Sequence, residues 1–391
     1  MKKVLFVGSS ITNINKKLSA HLEFFKKNHY IVHLLGEDTG IDIPFVDQVI
    51  DFDFFAEGSF LKAQKMIKQV RQLYREEDYT VVISYEDIPG YLARMAGRCS
   101  SFRKFERPKM FHLSSEYPFY ESSGGILEKK SFERQKKAGK TTDLLIVSSE
   151  TDFNIAEKYG FSQDIIVKLY GLGVPSIKSK VSAIDKNILR ERYQLTKNHV
   201  VALYDNVFEQ DKNHEFLIQN IAPIIEHFPH FKLIFNGTGS TLETMKQLVE
   251  KEGIYKNTLF LEKEDATELY AISDIYLSPS LIEGVPRGIV HALECSIPVL
   301  ASATKGHVDL IESEVNGLLY TPDDYGDFIA KLYVLLNNES LQQRLISNND
   351  DDSLLSYFEE NAQKHIFHYY RKAIAGIDSE EKDDSKNFNE A

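Results

Sequence analysis

A repeated alternation limits what this chain can fold into more than any other feature of the sequence. Short β-branched or apolar runs are separated by segments of helical periodicity, the pattern of parallel βαβ construction. The runs fall at Val4–Gly8, Ile31–Leu35, Thr80–Ser84, Lys109–Leu113, Leu144–Ser148 and Ile165–Leu169. Amphipathic helices are predicted between them, among them Lys17–Lys27, Phe60–Tyr74 and Gly90–Gly97. Gly171-Leu172-Gly173-Val174-Pro175 breaks the pattern, and the polar stretch Ser176–Lys186 that follows reads as a hinge. The alternation restarts at Asn198–Tyr204 and continues through Lys232–Asn236, Thr258–Leu261, Asp274–Ser278 and Ile297–Ala301, so a second doubly wound sheet is implied.

With 391 residues the chain exceeds one ordinary core and fits two. The expected division is 1–175 as one Rossmann-like domain and 176–352 as a second. A C-terminal helix at 353–376, read as continuous over Leu354–Ile374, is expected to return to the first domain. The acidic stretch 377–391 lacks apolar anchors and is expected to be a disordered tail. Ligands of open parallel sheets sit outside the carboxyl ends of the strands, so function is expected in a cleft faced by both sheets.

Composition narrows the function classes. The 42% hydrophobic and 27% charged residues are those of a folded globular protein. A net charge of −12 argues against nucleic acid, whose phosphates need surplus Lys and Arg. No run approaches the roughly 20 apolar residues of a membrane span, and the Met1–Gly8 segment reads as a strand, not a signal peptide. The expected location is cytoplasmic. Cys99 and Cys295 have no C-x-x-C partner, which leaves neither a disulfide framework nor a zinc site. One stretch runs against the acidic balance: Arg94, Arg98, Arg103, Lys104, Arg107 and Lys109 interleave with Phe102 and Phe105, and Lys129, Lys130, Arg134, Lys136, Lys137 and Lys140 follow. Either these are solvated faces, or they form a surface for anionic headgroups or a lipid-phosphate acceptor at the inner face of a membrane.

The most informative segment is Ser278-Pro279-Ser280-Leu281-Ile282-Glu283-Gly284-Val285-Pro286-Arg287-Gly288-Ile289-Val290-His291-Ala292-Leu293-Glu294. It runs from a strand end through a loop into a helix, with Pro286 suited to the first helical position. The unpaired amides and positive dipole end of such a helix form a diphosphate site. Glu283, just before it, offers a fixed carboxylate to sugar hydroxyls.

This block, with Ile297-Pro298-Val299-Leu300-Ala301-Ser302, Lys305-Gly306-His307 and Asn316-Gly317-Leu318-Leu319-Tyr320, resembles the C-terminal domain of family-four retaining glycosyltransferases of the polysaccharide- and capsule-assembly type. The resemblance implies the GT-B fold of two Rossmann-like domains. It also implies transfer of a sugar with retention, without a metal or bound cofactor, from a nucleotide-diphosphate sugar, UDP-linked, to a saccharide or lipid-linked glycan acceptor. Donor-binding positions implied are Lys212, Gly237 and Gly239 of the Asn236-Gly237-Thr238-Gly239 turn, Gly284, Arg287, His291, Glu294 and Lys305; Glu283 is catalytic. Glu86, Asp87, His112, Glu116 and Tyr117 are strand-end candidates for the acceptor.

The sequence departs from the family at several of these places. The family has two glutamates separated by seven residues, but the count from Glu283 lands on His291, which cannot hold a vicinal diol as a carboxylate can. Glu294, on the same helical face, is the candidate substitute. A histidine expected near the anomeric carbon aligns with Ser114, leaving His112 as the catalytic candidate two residues earlier. Ser9, Ser10, Ile11 and Thr12 replace a glycine pair, and the usual arginine near Asn206 is missing. Two readings follow: a surface-glycan transferase, or a catalytically silent GT-B subunit that assists an active partner glycosyltransferase.

Overall fold

The computed structural model describes residues 1–55, 60–98, 106–114, 126–158, 160–169, 171–262, 264–348 and 352–375. Cys99, Phe102, Arg103, Lys104, Phe105, Glu116, Tyr117 and the acidic tail lie outside the described residues. The chain forms two compact units. One comprises Met1–Leu172 with Ala362–Ala391, the other Gly173–Asn361.

The first unit is built on a parallel sheet of β1 (Lys3–Ser10), β2 (Ile31–Glu37), β3 (Gln48–Asp51), β4 (Val81–Tyr85), β5 (Lys109–Leu113), β6 (Leu144–Val147) and β7 (Ile166–Lys168). Their order is β3-β2-β1-β4-β5-β6-β7. Helices cover both faces, which is why the central strands are continuously apolar. Val4, Phe6, Ile83 and Phe111 point into one core layer, and Leu5, Val7, Val82 and Met110 into the other. Strand β3 went unpredicted because its four residues sit on the sheet's edge and are at most half-buried.

The second unit repeats the plan with β8 (Val200–Asp205), β9 (Phe231–Asn236), β10 (Thr258–Leu261), β11 (Ile275–Ser278), β12 (Val299–Ser302) and β13 (Leu318–Tyr320), ordered β10-β9-β8-β11-β12-β13. The order reverses between β8 and β11. Parallel sheets of this kind hold ligands at that switch, outside the carboxyl ends of the strands.

The continuous C-terminal helix expected from the sequence is broken. Helices Asp352–Leu355 and Glu359–Ala375 are separated because Val174 takes the backbone in between: its N–H donates to the Tyr357 carbonyl at 2.8 Å, and its carbonyl accepts from Glu359 N at 3.0 Å. Gly173 permits this contact, with φ of +93° and a hypothetical Cβ only 2.3 Å from Glu359 Cα. From Ala362 onward the last helix belongs to the first unit. There Tyr370 stacks on Phe111 with centroids 5.5 Å apart, and Phe367 stacks on Phe24 at 4.2 Å. The Tyr370 hydroxyl also meets His21 Nδ1 at 3.0 Å, and burial pushes that imidazole down to about 3.

Candidate functional site

In the second unit, the loops that follow β8 and β11 flank the switch point. Tyr204, buried near the end of β8, ties them together. Its hydroxyl donates to the Lys212 carbonyl at 2.8 Å, lies 2.8 Å from Ser280 Oγ, and accepts from the Asn206 amide at 3.3 Å. Burial, reinforced by the nearby Glu283 charge, raises this phenol well above its ordinary range, so it stays a neutral donor. Leu281 N donates to the Asp211 carbonyl at 2.9 Å, a second link between the loops.

Glu283 projects from the β11 loop onto this framework and is 8% exposed. Its Oε1 accepts from Asn206 Nδ2 at 2.8 Å and from Ser280 Oγ at 2.7 Å. Its Oε2 stands 3.4 Å from Lys212 Nζ, which also donates to the Ile282 carbonyl at 2.8 Å and pairs with Asp211 at 3.0 Å. The carboxylate and the ammonium are thus fixed together at the sheet's switch point.

A third loop, after β12, braces the second. Ser302 Oγ donates to the Ser280 carbonyl at 2.6 Å, and Thr304 Oγ1 to the same oxygen at 3.0 Å. His307, fully buried, donates from Nδ1 to the Ser302 carbonyl at 2.8 Å, which leaves Nε2 to accept from Ser278 Oγ at 3.1 Å. Burial holds its pKa down to about 4, with the Ser302 carbonyl opposing and the Lys212 charge assisting. Sequence reasoning quoted His307 in a motif without giving it a role. Its place directly after Lys305-Gly306 was the available signal.

Gly306 has φ of +83°, and a Cβ there would lie 2.6 Å from the Glu283 carbonyl oxygen and 2.7 Å from that of Gly284. The turn that carries buried Lys305 therefore rests directly on the Glu283-Gly284 backbone. Gly237 and Gly239 act alike. A Cβ at Gly237 would come within 2.0 Å of the Asn206 carbonyl oxygen, and one at Gly239 within 2.3 Å of that of Phe208. The close approach these glycines permit is filled by the loop that delivers Asn206 to Glu283.

The helix Arg287–Glu294 opens beside Glu283. Pro286, expected as its first residue, is instead the N-cap, and no side chain caps the helix. The Pro286 carbonyl accepts from Ile289 N and Val290 N, while Arg287 is exposed at the first helical position. Gly288 lets the helix approach β11, since a Cβ would collide with the Tyr276 hydroxyl at 1.8 Å. The amino end of this helix and the exposed Arg287 guanidinium add positive potential beside the Glu283–Lys212 pair.

Farther along the helix the expectations need correction. Glu294 does not stand in for a missing carboxylate at the Glu283 cluster. Its Oε2 accepts from Ile177 N at 3.0 Å and its Oε1 from Ser176 Oγ, so it anchors the start of the second unit. Burial would raise its pKa, but the nearby His291 and the hydrogen bonds from Ser176 and the Ile177 and Lys178 amides outweigh it and keep the group low. His291 is 7% exposed, with Nδ1 3.8 Å from Glu294 and, among the described residues, without a hydrogen-bond partner. Sequence reasoning also missed Asp205, a half-buried carboxylate that accepts from Asn236 Nδ2 at 2.8 Å. Burial raises its pKa, against the pull of Asn236, His291, Tyr270 and Arg287. Its signal in the sequence was an acid at the end of a predicted strand.

His112 also needs correction as a catalytic candidate. It lies in the first unit, 2% exposed, on the face of β5 covered by the helix Asp87–Ala96. Gly90 of that helix makes room for it: a Cβ there would lie 2.5 Å from the ring. Nδ1 meets Ser84 Oγ at 3.0 Å, and burial holds the pKa well below the ordinary value, with the Arg94 charge adding to the shift. The ring is core packing. Of the acceptor candidates, Glu86 has φ of +70° and binds Ser9 N at 2.7 Å and Ser9 Oγ at 3.0 Å. Asp87 pairs with Arg134 at 2.5 Å.

Residues 185–352 match the family model described as glycosyl transferases group 1. Over this segment the chain is similar to the group 1 glycosyl transferases. The candidate glycosyltransferase EpsD of Bacillus subtilis is 23% identical over 348 residues, 88% of this chain and 90% of that protein. The UDP-Gal:alpha-D-GlcNAc-diphosphoundecaprenol alpha-1,3-galactosyltransferase of Escherichia coli is 23% identical over 345 residues, 85% of this chain and 86% of its own. Among solved structures, Anabaena Alr3699/HepE in complex with UDP aligns with a TM-score of 0.73 at 16% identity, covering 95% of this chain and 100% of that one. The two-domain GT-B fold expected from the sequence is the one found. The Glu283–Lys212 pair and the Arg287–Glu294 helix both lie inside the group 1 glycosyl transferase segment. Among the described residues no helix is long and apolar enough to cross a membrane.

Proposed function

We propose that this group 1 glycosyl transferase moves a sugar from a nucleotide-diphosphate donor, UDP-linked, to a saccharide or lipid-linked glycan acceptor, with retention, in surface polysaccharide synthesis. The observation that carries the reading is the Glu283 carboxylate fixed 3.4 Å from Lys212 beside an uncapped helix start. The diphosphate rests against the opening amides of the Arg287–Glu294 helix. Lys212, Lys305 and Arg287 offset the charge that grows on it as the glycosidic bond to the nucleotide breaks. Glu283 accepts hydrogen bonds from the donor sugar, its position held by Asn206 and Ser280. The leaving phosphate takes the acceptor's proton, so no protein base is required. A UDP complex of a protein with this fold and a UDP-galactose-using relative support the choice of nucleotide.

The test is calorimetric titration of the purified protein with a panel of nucleotide-diphosphate sugars, beside Glu283→Ala. Donor binding abolished in the variant, with product of retained configuration by NMR, is the expected result. The arrangement around His291 favours one other reading, a silent subunit that assists a partner transferase, because no carboxylate occupies that position and Glu294 is engaged elsewhere. Silence across the panel, together with co-purification of an active glycosyltransferase, decides for it.

A further inference from the structure

The first unit carries a cavity of about 530 Å³, of a size that holds small ligands, away from its strand-end loops. Met95 and Arg98 reach it from the end of the helix Asp87–Ala96, and Glu133, Lys136, Lys137 and Lys140 from the end of the helix Ile126–Gly139. Each helix runs antiparallel to the strands and leads into the start of the next one, β5 or β6. The cavity therefore lies at the amino end of the sheet, opposite the end where doubly wound folds bind their substrates.

Its charge is unusual for this chain. Four cations line it against one carboxylate, in a protein whose net charge is −12. Among the described residues, Arg98, Lys136, Lys137 and Lys140 make no ion pair. The neighbouring acid, Asp87, is taken by Arg134 and Gln135 on the inward side of the same helix. Arg71 adds to the crowding, its guanidinium bound to the Met95 and Ala96 carbonyls at 3.1 and 3.0 Å. Burial lowers its pKa, and repulsion from Arg75 and Arg98 adds to the shift. Helix dipoles favour cations in a last turn, which accounts for Lys136 and Lys137 singly. They do not account for two helices and the residues after them aiming four cations at one cavity.

We infer that this cavity binds a phosphate anion, with Lys136, Lys137, Lys140 and Arg98 as its donors and Met95 as an apolar wall. Lysines meet phosphate as point charges, and the Arg98 fork adds a planar, bidentate contact. The phosphate comes from a phospholipid headgroup or from a soluble phosphate compound. The site stands independently of the transferase reading, since it shares no residue with the Glu283 cluster.

The experiment compares the full chain with Lys136→Gln/Lys137→Gln, Lys136→Arg/Lys137→Arg, and a charge-matched control, Lys246→Gln/Lys251→Gln. Two probes are used: co-sedimentation with vesicles of phosphatidylglycerol in phosphatidylcholine, against phosphatidylcholine alone, and calorimetry with inorganic pyrophosphate. At about fivefold per basic residue near an anionic surface, the Gln pair lowers affinity roughly 25-fold, while the Arg pair and the control stay near wild type. Loss confined to the phosphatidylglycerol vesicles identifies a lipid headgroup as the source, and loss confined to the pyrophosphate signal identifies a soluble phosphate. Either supports the site. Absence of both signals in the wild type, or an equal loss in the control pair, overturns it. Circular dichroism of each variant confirms that folding is intact, as expected for exposed lysines.

Discussion

Glu283 Oε2 and Lys212 Nζ lie 3.4 Å apart, each side chain only 10% exposed, although 70 residues of chain separate their positions. Neither group depends on the other alone. The carboxylate has Asn206 and Ser280, and the ammonium has Asp211 and the Ile282 carbonyl. Glu283→Gln keeps the shape and one accepting oxygen, so it is expected to cost about 1 kcal/mol of stability. Glu283→Ala leaves several partners unmet and is expected to cost about 3 kcal/mol. Both are expected to slow sugar transfer by about 10²- to 10³-fold. Urea unfolding beside initial rates separates the effects. Equal rate loss with unequal stability loss places Glu283 in the chemistry.

Gly306→Ala tests the contact between the β12 and β11 loops. The residue has positive φ, and its Cβ would meet two backbone carbonyls that cannot swing aside like a side chain. A cost of about 1–3 kcal/mol is expected from the backbone conformation alone. Donor affinity is expected to fall as well, because the Glu283 backbone must shift to clear the methyl group. A variant with unchanged urea midpoint and donor affinity would contradict the packing described.

His214 offers a substitution expected to stabilise. Its ring is 2% exposed, stacked on Phe208 at 4.0 Å, and among the described residues both nitrogens lack a hydrogen-bond partner. Burial lowers its pKa to about 3, with the Lys212 charge adding to the shift. The folded state thus keeps it neutral, while the unfolded chain takes up a proton near the ordinary 6.5. Stability is complete above that value and is lost as pH falls from 6.5 toward 3. His307, lowered to about 4, and His21, lowered to about 3, act in the same direction. His214→Phe is expected to gain about 1 kcal/mol at neutral pH and to flatten the acid limb by about 1.4 kcal/mol per pH unit. Urea midpoints measured from about pH 7.5 down to 5 check both effects.

His291→Glu restores the spacing of two glutamates that the family resemblance leads one to expect, yet it is expected to harm this protein. The new carboxylate would stand near Glu294, which lies 3.8 Å from the present imidazole, and near half-buried Asp205, which now benefits from that ring. Like charges at a site this enclosed are expected to cost about 3 kcal/mol at neutral pH, with relief as the pH falls and one group protonates. Thermal unfolding across pH measures it. A variant as stable as the wild type with tighter donor binding would show that the position accepts a second acid.

The sequence carried the architecture because hydrophobic periodicity is a local property. The runs Val4–Gly8 and Lys109–Leu113 are apolar on both sides, and only a sheet covered on both faces accommodates them. The spacing from Ser278 through Glu294 marked the loop and helix of the site, since its proline, glycines and glutamate are neighbours along the chain. What the side chains do there was not local. His112 and Ser114 stand two residues apart, His112 within β5 and Ser114 just past its end, and only the packing of Gly90 decides that the imidazole is core. Glu294 and His291 share a helical face, and only the return of Ser176 and Ile177 fixes which of them is consumed by hydrogen bonds. The break before Glu359 likewise depends on Val174, more than 180 residues earlier in the chain. Periodicity determined the elements and their order. Contacts between residues remote in sequence, settled by which donors and acceptors meet in a dry interior, decided which groups serve the site and which hold the fold.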